Sequence, residues 1–90
     1  MKLYDAIDEM RKLTVLRISF SFSFMSYNSH TRKSDGVVEV RTARLRKRVK
    51  KEHHRYAEIV EAYLNRDTGE PRYFYHALLM TFNGQIIELY

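Results

Sequence analysis

The sequence predicts an α+β protein, an N-terminal helix followed by a mainly antiparallel sheet, with a small barrel or sandwich as its expected form. Three observations carry that prediction. Apolar residues recur with a period of 3.6 over residues 2–13, the period changes to 2 over residues 16–24, and the chain ends on two apolar runs split by the hairpin pair Asn83-Gly84.

In residues 2–13, Leu3, Ile7 and Met10 follow i, i+4 and i+7, with Ala6 and Leu13 on the same side. Asp5, Asp8, Glu9, Arg11 and Lys12 take the other side, as a solvated helix face would. In LRISFSFSFMSYN, Leu16, Ile18, Phe20, Phe22 and Phe24 alternate with Arg17, Ser19, Ser21 and Ser23. This is a strand with one apolar face and one small polar face. The polar stretch NSHTRKSDG closes on the turn pair Asp35-Gly36. VVEVRTARLRKR then reads as a second strand pairing back on the first. Val38, Val40 and Thr42 share a face, whereas Ala43 and Leu45 fall on the other, which predicts a bulge or a change of burial near Arg41–Thr42.

Residues 50–66 admit two readings. Tyr56, Ile59, Val60, Tyr63 and Leu64 fit one face of a helix over 52–65. The alternative is a strand over about 59–66, preceded by a loop or short helical turn and followed by a tight turn at Asp67–Pro71 and the strand residues Tyr73-Phe74-Tyr75. In HALLMTFNGQIIELY, Asn83-Gly84 is the preferred pair of a type I′ hairpin, whose two central residues need φ > 0. Leu78, Met80 and Phe82 then share one face, and Leu79 and Thr81 the other. The expected core is Phe20, Phe22, Phe24, Val38, Val40, Leu78, Met80 and Phe82.

Residues 1–90 make a single domain, with twelve aromatic residues for a small core and 44% hydrophobic residues, too apolar for a disordered chain. Cysteine is absent, which excludes disulfides and thiolate chemistry and suits a reducing cytosol. The acids Asp5, Asp8 and Glu9 do not fit a signal peptide, and no apolar run is long enough to span a bilayer. A cytoplasmic protein without a membrane partner is expected.

Little else in the sequence points to catalysis. Gly36, Gly69 and Gly84 are isolated, so neither a P-loop nor a dinucleotide fingerprint is possible. The serines have no nucleophile-elbow context. His53-His54 is an adjacent pair whose rings diverge on either a helix or a strand, and His30 and His76 are remote, so no metal-ligand spacing exists. Glu58 and Glu61 sit three apart, which on a helix is a plain polar face. No enzyme activity, no metal and no cofactor is expected. Phe20, Phe22 and Phe24 read as core rather than as a base-stacking platform, and Tyr73 and Tyr75, on one face beside Arg72, are better placed for exposure.

The phrases FSFSFMSYN, EVRTARLRKR and DTGEPRYFYHALLMTFNGQ resemble a group of small uncharacterised proteins of bacterial prophages and integrated mobile elements. The resemblance runs from the first helix to the final hairpin. It implies a phage or mobile-element setting, hence either nucleic-acid binding or a part in a virion or its assembly. It implies no functional residue.

The strongest functional signal is VRTARLRKRVKK, residues 40–51. Arg41, Arg44, Arg46, Lys47, Arg48, Lys50 and Lys51 contribute +7 to a chain whose net charge is +5, so the remainder sums to −2. On a strand, Arg44, Arg46 and Arg48 project to one side about 6.6–6.8 Å apart and can follow a phosphate backbone or a row of carboxylates. On a helix, Arg41, Arg44, Arg48 and Lys51 form one stripe. Charges at a strand end also resist edge-to-edge aggregation, but seven unbroken charges exceed that need. The expected function is a non-catalytic binding module that docks an anionic partner, nucleic acid before an acidic protein surface, through residues 41–51. The alternative is a structural or assembly subunit of a virion, self-associating or joined to other phage proteins, that uses the same segment and its apolar sheet faces for protein contacts.

Overall fold

The computed structural model describes residues 1–28, 31–47 and 59–88. Helix α1 spans Leu3–Val15 and is followed by β1 (Phe20–Met25), β2 (Val37–Leu45), β3 (Val60–Asn65), β4 (Glu70–Tyr75), a single 3₁₀ turn (His76–Leu78), β5 (Leu79–Phe82) and β6 (Gln85–Ile86). The strands form one antiparallel sheet in the order β4-β3-β2-β1-β5-β6. The α+β architecture holds, but the sheet is neither a sandwich nor a closed barrel. Closure would have to join β4 to β6; β6 is two residues long, and the chain just beyond it is bonded instead to residues 1–3.

The helix buries Leu3, Ala6, Ile7 and Met10 against the sheet, the spacing read from the sequence. It runs two residues past the expected end at Leu13. Arg17 adopts φ 60°, its N–H bonds the Thr14 carbonyl at 3.1 Å, and the Ile18 N–H bonds the Leu13 carbonyl at 2.9 Å. These are the bonds of a Schellman cap, with arginine where glycine is usual. The cap turns Leu16 and Ile18 outward, so they do not continue the apolar strand face and remain more than half exposed.

Phe20, Phe22 and Phe24 point into the core, each below 7% exposure. Along β2, Phe22 pairs with Val40 but Phe20 pairs with Ala43, so β2 carries one extra residue at Arg41–Thr42. This is the expected bulge. It lets Val40, Ala43 and Leu45 all face inward despite their odd spacing. A second irregularity lies in β5, where Phe22 pairs with Phe82 but Phe24 with Leu79. It overturns the expected core assignment there: Leu79 and Phe82 are buried, Leu78 is half-buried, and Met80 is 39% exposed.

The segment Val60–Asn65 is strand, close to the bounds of the second reading; residues 50–58 lie outside the described residues. Pro71 is tolerated because β4 is an edge strand. In a flat sheet β1 and β4, three strand spacings apart, would be separated by about 14 Å. The Phe22 and Phe74 ring centroids are 5.0 Å apart, and Phe24 and Phe74 are 5.6 Å apart. The sheet is therefore rolled strongly about an aromatic cluster of Phe22, Phe24, Tyr63 and Phe74, with α1 on its concave side.

Candidate functional site

The roll separates two faces. The concave face holds the core. The face turned away from the helix is built from the alternate residues: Ser21 and Ser23 on β1, Glu39, Arg41 and Arg44 on β2, Ala62 and Leu64 on β3, Tyr73 on β4 and Thr81 on β5. Ser23 and Thr81 bond each other through their hydroxyls at 2.6 Å.

Arg41, Arg44, Arg46 and Lys47 are all exposed. Because Leu45 is held in the core, its neighbours Arg44 and Arg46 are directed away from it. Arg41 stands at the bulge beside a shallow depression lined by Ser21, Ser23, Glu39 and Thr81. The Arg46 guanidinium lies 5.9 Å from the Tyr73 ring centroid, a cation–π contact. Arg48, Lys50 and Lys51, with the His53-His54 pair, fall outside the described residues.

The structure adds one cation that the sequence reading missed. Arg66, in the β3–β4 turn, donates its backbone N–H to the Thr42 carbonyl at 2.8 Å, and its Nη1 donates to Ser19 Oγ at 3.0 Å. It is thereby fixed against Ser19 and the β2 backbone at Thr42. No ion pair among the described residues engages Arg41, Arg44, Arg46, Lys47 or Arg66. Only the β3 pairing brings Arg66 there, so no local sequence signal could have found it.

A second polar cluster lies inside. Glu61 on β3 and His76 in the 3₁₀ turn have side chains 3% and 4% exposed. His76 Nε2 donates to Glu61 Oε1 at 3.0 Å, and Arg11 Nη2 reaches the same oxygen from α1. Tyr4 abuts the His76 ring edge-on, 5.7 Å between centroids. His76 Nδ1 has no hydrogen-bond partner among the described residues. Burial pushes the Glu61 carboxyl up, but the hydrogen bonds from His76 and Arg11, together with the charges of both, outweigh it and hold the pKa below the usual carboxylate value. The cluster ties helix, sheet and turn together at one oxygen. It corrects two expectations: Glu61 is not on a solvated polar face, and Arg11 does not merely decorate the outer side of the helix. The period of β3 carried the clue, since Glu61 is in phase with the core residue Tyr63.

Comparison with known proteins adds no relative. No protein-family model matches the chain, and neither a curated protein nor a solved structure shows significant similarity to it. Among the described residues, no helix is long and apolar enough to cross a membrane.

Proposed function

We propose that this protein is a non-catalytic binding module that docks a nucleic-acid backbone on the helix-free face of its sheet. One observation carries the reading: Arg41, Arg44, Arg46 and Lys47, joined by Arg66 from a separate turn, are exposed together without ion-pair partners among the described residues. The serine and threonine side chains beside Arg41 are short, so a phosphate can approach closely. Arg48, Lys50 and Lys51 belong to the same basic run of sequence. Contacts of this kind address phosphates and carry little sequence information. The setting would be the phage or mobile element that the sequence phrases resemble.

Four or five engaged cations predict a log–log salt slope near −4 on duplex DNA, from about −0.9 per phosphate neutralised. Replacing Arg41, Arg44 and Lys47 together with Gln removes three charges while leaving the core intact. The slope should flatten by about two to three units with the fold unchanged. Fluorescence anisotropy across a salt series, with parent and variant, measures both.

The assembly reading keeps one supporting observation. Val15, Leu16 and Ile18, adjacent at the end of α1, are 82%, 59% and 52% exposed. If the parent binds no nucleic acid at low salt and sediments as an oligomer, those residues and the basic face become protein contacts.

A further inference from the structure

Because the sheet rolls without closing, its edge strand β4 faces the far end of β1 across a cleft of about 480 Å³. Its lining is aromatic: Phe24, Tyr63 and Phe74 are nearly buried behind it, and Tyr27 and Tyr73, 47% and 49% exposed, are the rings open to a ligand. Tyr27 and Tyr75, both in its lining, meet edge-to-face, 5.9 Å apart between centroids and nearly perpendicular at 80°. Arg72, its side chain 62% exposed and ion-paired with Glu70, is the one positively charged residue among the described lining residues. Burial raises the Tyr63 pKa, with Arg72 opposing the shift and Glu70 adding to it.

We propose that this cleft receives an unstacked nucleobase of a single-stranded nucleic acid whose phosphates follow the basic face. The inference rests on the nucleic-acid reading above and narrows it to single strands. The volume falls within the range of small-molecule sites, about 300–1,000 Å³. Aromatic rings beside a cationic track are the means by which proteins hold single strands, because every base has a π-face and every nucleotide a phosphate. The two features share a rim here: Tyr73 lines the cleft, and the Arg46 guanidinium covers its ring. A base paired and stacked in a duplex cannot enter such a cleft without being flipped out.

The test uses an oligothymidylate of about twelve nucleotides, an abasic strand of equal length and charge, and the corresponding duplex, each titrated across the same salt series. The oligothymidylate should bind about ten-fold more tightly than either competitor. Tyr27 is 47% exposed, so Tyr27→Leu should fold, and it should weaken oligothymidylate binding about five- to ten-fold while leaving the salt slope unchanged. Tyr27→Phe keeps the ring and should restore the affinity. If Tyr27→Leu fails to fold, the comparison of abasic and base-bearing strands on the parent still decides. Equal affinity for those two strands, or tighter binding of the duplex, overturns the cleft while leaving phosphate docking intact. Thymidine monophosphate binding as tightly as the oligomer overturns it in favour of a free nucleotide. Failure of every strand to bind at low salt overturns the cleft and the nucleic-acid reading together.

Discussion

Glu61 gathers three elements at one carboxylate oxygen, and its energetics follow from its surroundings. Two hydrogen-bond donors compensate its burial, so removing the carboxylate leaves Arg11 and His76 without their acceptor. Breaking a buried pair costs about 3–5 kcal/mol. Arg11 keeps 38% of its side chain in water, so Glu61→Ala should fall near the lower end, about 3 kcal/mol. The carboxyl titrates below its ordinary value in the folded chain. Its contribution is therefore complete above the ordinary carboxylate pKa and is lost as pH falls through the lower, folded value. Urea unfolding from neutral pH down into the acid range should show the parent losing stability and Glu61→Gln losing less over the same interval. Parallel curves would mean that the ion cluster makes no net contribution.

The elements show where a sequence pattern suffices and where it stops. Helix α1, the alternation of β1 and the last hairpin rest on local periods and local turn chemistry, and each could be read directly. Asn83 and Gly84 both have positive φ, 47° and 81°, as a type I′ turn requires. The Asn83 side chain also accepts the Ser21 N–H at 2.9 Å, holding the hairpin to β1. A Cβ at Gly84 would meet nothing within 4 Å, so Gly84→Val tests backbone conformation alone. A loss of roughly 1–2 kcal/mol is expected, with Gly84→Asn costing less because Asn tolerates the left-handed region. Thermal melts of the two variants measure the difference. The bulge in β2 was legible because Val40 and Leu45 are both apolar and out of phase. The one in β5 was not: LLMTF contains apolar residues in both phases, and only pairing with β1 selects Leu79 and Phe82 for the core. The charge block was legible by composition, whereas Arg66, Tyr27 and the Glu61 cluster meet their partners only through contacts distant in sequence.

At the scale of the whole molecule, the roll of the sheet decides what the surface offers. It puts Arg41 and Arg44 on the face turned from the helix, leaves a cleft between β4 and the end of β1 and keeps an aromatic core beneath α1. The sheet stays open partly because the last residues turn to the first ones: the Leu3 N–H bonds the Glu88 carbonyl at 2.8 Å, and the Glu88 N–H bonds the Met1 carbonyl at 2.8 Å. That juxtaposition makes the linear order of the elements dispensable. A circular permutant, joined through residues 89 and 90 and a short Gly/Ser linker to Met1 and opened in the exposed turn at Thr68-Gly69, would preserve every strand pairing and the helix seat. It would also turn the stitch between residues 3 and 88, formed at present across nearly the whole chain, into a local contact, for which loop closure costs less entropy. Such a permutant should fold, with native-like circular dichroism and amide dispersion. If it does not, the β3–β4 turn must be joined before the rest of the sheet can assemble.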